Sequence, residues 1–127
     1  RDRYKYISEN KIIEIDGNFL KAGTAGNTAI KVRYIVRQAY GGVLFIDEAY
    51  ALAEDELGAQ AIATLIKEME DNRDKFILIL AGYTDEMKDL IRSNTGFASR
   101  VKEYLDFPDY NEQEMREIFM GMAGERG

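Results

Sequence analysis

The sequence predicts an α/β fold, a parallel sheet with helices on both faces. Short apolar runs alternate along the chain with longer segments of helical periodicity. The runs 43–46 (VLFI) and 76–80 (FILIL) contain no polar residue, which is typical of strands that are buried on both faces. Strands and helices that alternate in this way form a parallel sheet, and ligands bind beyond the carboxyl ends of its strands.

The first two strands flank one helix. Residues 11–15 (KIIEI) predict a strand, and the glycine-rich stretch 16–28 predicts a loop. Thr28 is the expected N-cap of a helix that runs to about Ala39. The apolar residues expected on its buried side are Ile30, Tyr34, Ile35 and Val36. A glycine pair at 41–42 ends the helix before the strand 43–46.

The segment 55–72 gives the clearest helical pattern. Its apolar stripe consists of Leu57, Ala61, Ile62, Leu65, Ile66 and Met69. Lys67, Glu68 and Glu70 fall off this stripe and are expected to face solvent. The pattern therefore predicts one amphipathic helix between the strands 43–46 and 76–80.

The remaining pattern predicts two helices and one strand. Thr84 is the expected N-cap of a helix with Asp85 and Glu86 in its first turn, where the helix dipole favours acids. Residues 103–107 (EYLDF) predict a fourth strand. Asn111 is the expected cap of a last helix. The apolar stripe of that helix consists of Met115, Ile118, Phe119 and Met122.

The amino-acid composition limits the kinds of catalysis and metal binding that are open to this chain. The 127 residues favour one domain, and 46% of them are hydrophobic, enough for a core. The absence of histidine and cysteine excludes imidazole and thiol catalysis and ordinary zinc sites, and fits a cytoplasmic protein. Any metal is then an oxygen-bound cation such as Mg²⁺. A net charge of −6 disfavours nucleic-acid binding, and no apolar run approaches the length of a membrane span.

Asp47 and Glu48 end the apolar run 43–46. Two neighbouring acids at the tip of a strand suggest a Walker B motif, in which Asp47 holds Mg²⁺ and Glu48 polarises the water that attacks a γ-phosphate. Phosphoryl transfer needs mainly positioning and charge neutralisation, so a carboxylate and a metal suffice without histidine. The alternative is a strand that ends in solvated acids.

Five segments in order resemble one family. They are GGVLFIDEAYAL, EMEDNRD, ILAGYTDEM, SNTGFASR and DFPDY. Together they resemble the CbbX and stage V sporulation protein K branch of the AAA+ ATPases, over about residues 11–122. The resemblance implies a three-layer α/β/α sheet of the P-loop NTPase type, with ATP and Mg²⁺ as cofactors. It also implies that ATP hydrolysis remodels or activates a protein partner, and that the full-length protein forms a homo-oligomeric ring, a hexamer.

The resemblance also divides the chain and assigns roles. Residues 1–10 are then a linker or helix remnant, 11–108 the large subdomain and 109–127 the start of the helical lid. It implies that Asp47 binds the metal, that Glu48 is catalytic, and that Tyr83 or Thr84 is the sensor near the γ-phosphate. Arg100 in GFASR matches the family's arginine finger, although Ala98 replaces a first arginine. A helix cap for Thr84 and a surface salt bridge for Arg100 are the structural alternatives.

The stretch FLKAGTAGNT aligns with the family's central-pore loop. The pore loop then consists of Ala22, Gly23, Thr24, Ala25 and Gly26. Thr24 occupies the position that is usually aromatic in the family. Since threonine lacks the contact area with which an aromatic ring grips a peptide, this exchange argues against substrate threading.

None of the eleven glycines begins the phosphate-binding pattern G-x-x-x-x-G-K-[ST]. In the family that P-loop follows strand 1 of a sheet ordered 5-1-4-3-2, so this chain would hold strands 2 to 5. The chain alone is then expected not to bind ATP appreciably. Without strand 1, the strand 76–80 becomes an apolar edge, beside which either the strand 103–107 or another chain can pair, and the length of the connection 82–102 permits the first, which we favour.

Two other functions stay open. One is a degenerate, non-hydrolysing assembly module of the same fold, which the missing P-loop, Ala98 and Thr24 favour. The other is a receiver-like phosphoacceptor domain, for which the chain has a suitable length and a strand-tip aspartate. That class needs a lysine after its last strand, and Pro108, Asp109 and Tyr110 follow here instead.

Overall fold

A computed structural model describes residues 11–108 and 115–122, and their side chains up to residue 100. They form one five-stranded sheet, in the order β1-β2-β3-β5-β4. Its strands are β1 (Ile12–Asp16), β2 (Val43–Asp47), β3 (Ile77–Tyr83), β4 (Val101–Pro108) and β5 (Met115–Met122). The first three are parallel, whereas β5 runs antiparallel to both of its neighbours. The predicted α/β class is confirmed.

Four α-helices connect the strands. They are α1 (Ala25–Gln38), α2 (Glu56–Asp71), α3 (Thr84–Arg92) and α4 (Thr95–Arg100). Two short 3-10 helices, Gly17–Leu20 and Ala49–Ala53, follow β1 and β2 directly. None of the helices described here is long and apolar enough to cross a membrane.

The start of α1 differs from the prediction. Thr24 is the N-cap, and its Oγ1 accepts a hydrogen bond of 3.1 Å from the Asn27 N–H. Thr28, the predicted cap, lies inside the first turn and is fully buried, where its Oγ1 accepts a bond of 2.9 Å from the Ala22 N–H. Both threonines suit a cap by residue type, and the contact of Thr28 with the preceding loop decides between them.

The buried face of α1 was also predicted wrongly in part. Ile35 and Val36 are buried as expected, together with Thr28 and Val32. Ile30 and Tyr34 are instead exposed. The buried residues of α1 have helical spacing, but one of them is a threonine. A stripe defined by the largest apolar side chains therefore lies on a different side of the helix from the residues that are buried.

The predicted helix at 55–72 is confirmed as α2. Asp55 caps it, because its Oδ1 accepts a bond of 2.9 Å from the Gly58 N–H. Most of the predicted stripe is buried, including Leu65 and Met69. Glu68 was predicted to face solvent but is only 5% exposed, and its Oε1 accepts a bond of 2.9 Å from Asn72 Nδ2.

The core lies on one face of the sheet. Its buried residues from the strands and all four helices include Leu44, Ile46, Leu78, Leu80, Val36, Leu65, Leu90 and Phe97. Because side chains alternate across a strand, the strand members of this group share one face, and all four helices pack there. On the other face of β2 and β3, Val43, Phe45 and Ile79 are half-buried, whereas Ile77 and Ala81 are buried. The described helices therefore form one layer of the α/β fold.

The C-terminal strand β5 replaces a predicted helix. Residues Met115, Ile118, Phe119 and Met122 have helical spacing, but the backbone is extended and pairs with β3, with Leu80 opposite Phe119. The predicted cap Asn111 lies outside the described residues. β5 satisfies the backbone groups of β3, which would otherwise be an apolar edge, so tertiary pairing overrides the local helical pattern. The strand β4 pairs with β5 rather than directly with β3, contrary to expectation.

Candidate functional site

Asp47 is the last residue of β2, at the carboxyl edge of the sheet. Leu44 and Ile46 are buried and anchor the strand, whereas Asp47 is half-buried. It stands in register with Asp16, the last residue of the neighbouring β1. The sequence therefore placed Asp47 correctly at an accessible strand tip.

Glu48 adopts the left-handed conformation, with φ 50° and ψ 47°. It is the one non-glycine residue with positive φ among those the structure describes. This conformation costs about 1–2 kcal/mol in an L-residue, so surrounding contacts must hold it. Its N–H donates a bond of 2.9 Å to Asp47 Oδ1, and its carbonyl accepts a bond of 3.1 Å from the Ala51 N–H. The chain thus turns sharply at Glu48, and the two acids are held together.

Gly17, the first residue of the 3-10 helix that follows β1, packs against the backbone of this turn. A Cβ added at Gly17 would lie 2.6 Å from the carbonyl oxygen of Glu48. The 3-10 helix after β1 therefore packs directly on the backbone of the acidic turn, at a distance that only glycine permits. Sequence reasoning missed this contact, because the spacing of glycines in a loop does not show which backbone they approach.

The two predicted sensor residues, Tyr83 and Thr84, lie at the same edge of the sheet as Asp47. Tyr83 ends β3 and Thr84 begins α3. In the β2–β3 ladder Ile46 stands opposite Leu80, so Tyr83 extends two residues further than Asp47, about 7 Å. The prediction that Thr84 caps α3 is wrong, because Thr84 is its first helical residue and the cap position falls on Tyr83, which makes no side-chain capping bond.

Gly82, near the end of β3, packs against the segment that follows β2. A Cβ added there would lie 2.8 Å from Met87 Sδ and 2.9 Å from Tyr50 Cδ2. Tyr50 belongs to the 3-10 helix that follows Glu48, and Met87 to α3. The acidic turn and the end of β3 therefore pack against each other through a glycine.

Arg100 does not lie beside the acids. Its Nη2 donates a bond of 2.9 Å to Glu70 Oε1, and its Nη1 donates one of 3.1 Å to the Gly96 carbonyl. Glu70 lies in the last turn of α2, which runs from the carboxyl end of β2 to the amino end of β3. Since 16 helical residues span about 24 Å, Arg100 is at the opposite edge of the sheet from Asp47.

The predicted pore loop is an exposed stretch at the start of α1. Gly23, Thr24, Ala25 and Gly26 are exposed, and Ala25 and Gly26 already belong to α1. The loop lies at the carboxyl edge, because it follows β1 and its short 3-10 helix. Phe19 in that 3-10 helix is also exposed, and Lys31 Nζ lies 4.1 Å from its ring centroid.

Carboxylates are concentrated beside the acidic turn. The stretch 47–56 contains Asp47, Glu48, Glu54, Asp55 and Glu56 and no lysine or arginine. The hydrogen bond from the Gly58 N–H, with a smaller contribution from Lys21, holds the pKa of the Asp55 carboxyl below its usual value. The side chains described here contain no cluster of three or more carboxylates that could hold a metal alone. Asp47 offers one carboxylate of the kind that Mg²⁺ takes as a ligand.

Comparison with known proteins identifies relatives over most of the chain. The sequence profile of the ATPase family associated with various cellular activities (AAA) matches residues 5–109. Protein CbbX of Cereibacter sphaeroides is 41% identical over 120 residues, which cover 91% of this chain and 39% of the relative. Stage V sporulation protein K of Bacillus subtilis (strain 168) is 44% identical over 123 residues, 94% of this chain and 38% of the relative.

A third relative carries a more specific name. The chloroplastic ribulose bisphosphate carboxylase/oxygenase activase of Cyanidioschyzon merolae (strain NIES-3377 / 10D) is 42% identical over 117 residues, which cover 89% of this chain and 40% of the relative. The chain thus spans about two fifths of the length of the curated relatives it matches.

Proposed function

Because this chain belongs to the AAA family of ATPases, we propose that it forms part of an ATPase that remodels or activates a protein partner. The observation that carries the proposal is the acidic turn at the end of β2. Asp47 and Glu48 are held together at a half-buried strand tip by a backbone conformation that is costly in itself. Such strained turns are characteristic of functional sites.

In this proposal the two acids have separate roles. The Asp47 carboxylate holds Mg²⁺ through water, and the ion neutralises charge on the phosphates. Glu48 orients and polarises the attacking water. Tyr83 and Thr84, at the adjacent strand end, supply polar groups on the γ-phosphate side. The P-loop spacing is absent from this sequence, so the backbone that cradles the phosphates has to come from residues outside it.

Arg100 acts on a neighbouring subunit in this proposal. Its position at the opposite edge from Asp47 supports a role in trans, since a head-to-tail ring brings unlike edges of adjacent subunits together. There it stabilises transition-state charge as an arginine finger. The assembly is accordingly a homo-oligomeric ring that acts on a protein client in the cytoplasm. The relative named as an activase of a carboxylase supports a protein as the client.

The exchange Glu48→Gln in the whole gene product tests this function. It keeps ATP binding, because Asp47 and the phosphate contacts remain, and it lowers turnover by at least ~100-fold, the scale of losing a group that assists proton transfer. ATP binding is measured by calorimetry and turnover by phosphate release. Glu14→Gln is the matched control, an exposed acid on β1 outside the acidic turn, and is expected to leave turnover unchanged. Near-normal turnover in Glu48→Gln would overturn the assignment.

A second candidate is a non-hydrolysing assembly module of the same family. The ion pair of Arg100 with Glu70 favours it, because an arginine held within its own subunit resembles a structural contact. If the wild-type gene product binds ATP but shows no turnover, either alone or with its client, this second candidate is the correct one. Membership of the AAA family excludes the receiver-like alternative.

A further inference from the structure

Two large apolar side chains are exposed on the outward face of α1. Ile30 is 58% exposed and Tyr34 63%. They lie four residues apart, so they are neighbours on the helix surface. The opposite side of the helix, with Val32, Ile35 and Val36, fills the core. α1 is therefore apolar on two sides, and among the residues that the structure describes only one of these sides is covered.

The same helix is the most basic element of an acidic chain. α1 contains Lys31, Arg33 and Arg37 and no acid. The whole chain has 17 Lys and Arg and 23 Asp and Glu, and removing the three cations of α1 leaves 14 against 23, a net charge of −9. The exposed apolar pair is thus flanked by cations of opposite sign to the rest of the molecule.

The acidic stretch 47–56 carries charge complementary to this surface, and its Asp55 already pairs with Lys21, which precedes α1. Glu54 and Glu56 are exposed, at the carboxyl edge where α2 begins. Tyr34 and Arg37 lie towards the end of α1, which leads away from that edge to the amino end of β2. Tyr34 and Arg37 therefore lie towards the opposite edge of the sheet from Glu54 and Glu56, a placement that favours contact between two copies over contact within one subunit.

We propose that the α1 surface, defined as Ile30, Arg33, Tyr34 and Arg37, binds the acidic stretch 47–56 of a second copy of the chain. The contact joins different surfaces of the two subunits, so it is head-to-tail and generates a ring if the rotation closes. Tyr34 is the expected anchor, because exposed Tyr and Arg residues dominate the energy of interfaces. This contact rests on the ring of the proposed function, for which it supplies the interface. It does not require that the ring hydrolyses ATP.

The test measures the assembly state of the whole gene product with ATP and Mg²⁺. Sedimentation velocity over a concentration series is compared for wild type, Tyr34→Glu and Ile12→Glu. Ile12 is the matched control, an exposed apolar residue at 68% that lies on β1 and points away from the helix layer. Tyr34→Glu is expected to weaken association at least ~10-fold, while Ile12→Glu associates as wild type. Circular dichroism of both variants verifies that they fold.

A charge exchange tests the identity of the partner surface. Arg37→Glu and Glu54→Lys are each expected to weaken association, and the double variant to recover it, because every interface then carries the pair with its signs reversed. Two singly weakened variants without recovery in the double variant would overturn the pairing with 47–56.

The other outcomes separate this proposal from the proposed function. Wild type that stays monomeric at every concentration would overturn both the α1 contact and the ring. Wild type and Tyr34→Glu that assemble equally would overturn the α1 contact and leave the ring. Assembly that is unchanged together with loss of client-stimulated turnover in Tyr34→Glu would assign the surface to an acidic client, and would likewise overturn the contact between copies.

Discussion

Arg100 is bound to Glu70 across the packing of α4 on α2. The Nη2–Oε1 distance is 2.9 Å, and the Arg100 side chain is 29% exposed. A second bond, from Nη1 to the Gly96 carbonyl, fixes the plane of the guanidinium. Gly96 itself packs tightly on α2, since a Cβ there would lie 2.5 Å from Ile66 Cδ1. The orientation of Arg100 thus depends on an acid 30 positions earlier in the chain, at the amino edge of the sheet.

Glu70→Gln in the whole gene product is expected to lower turnover about 10-fold while nucleotide affinity stays unchanged, because Arg100 loses the charged partner that orients it. Stability should change by about 1 kcal/mol or less, since the Glu70 side of the pair is exposed to solvent and Arg100 is partly so. Steady-state kinetics and urea unfolding measure the two effects. Asp71→Asn is the control, because its exposed pair with Lys67 does not involve Arg100. Equal kinetics in the two variants would show that Glu70 has only a structural role.

Mixing two inactive variants tests whether Arg100 acts on a neighbour. Arg100→Ala and Glu48→Gln are each expected to remove most of the hydrolysis but to permit assembly, because each removes one group of the catalytic site and leaves the α1 surface intact. A mixture creates some interfaces in which an intact Glu48 faces an intact Arg100, so part of the activity returns. Phosphate release is measured across mixing ratios. An absence of rescue at every ratio would identify Arg100 as a surface arginine.

The 127 residues alone are expected to show no ATP affinity of ~10 µM or tighter in the presence of Mg²⁺. Asp47 and Glu48 attract Mg²⁺ only weakly without phosphate oxygens, and the sequence supplies no P-loop. Calorimetric titration of the chain with ATP and Mg²⁺ measures this directly. Binding at ~10 µM or below would mean that the phosphate site lies within these residues.

Gly82→Ala is expected to destabilise the fold by about 1–3 kcal/mol, the usual cost of overpacking a core. The added Cβ would meet Tyr50 and Met87 at less than 3 Å, at the junction of the acidic turn with β3. Gly23→Ala is the control, because nothing lies within 4 Å of a Cβ there. Urea unfolding of both variants gives the free energies. A Gly82→Ala protein as stable as wild type would show that this junction repacks freely.

The sequence by itself determined the local features of this protein. The apolar runs at β2 and β3 and the period of α2 are repeated over several residues, so they predict strands and a helix whatever surrounds them. Asp47 and Glu48 follow such a run directly, and their place at a strand tip therefore needed no tertiary information. Five ordered segments identified the family in the same way.

Only the tertiary structure decided the features that depend on distant partners. Residues Met115–Met122 have helical spacing, yet they form β5 because the backbone of β3 needs a hydrogen-bonding neighbour. Thr24 rather than Thr28 caps α1 because Thr28 binds the preceding loop. The left-handed turn at Glu48 lies against Gly17, and Arg100 is oriented by Glu70. In each case the deciding contact joins residues that are separated by no regular spacing in the sequence. Such a contact forms only in the folded chain, so sequence patterns do not predict it.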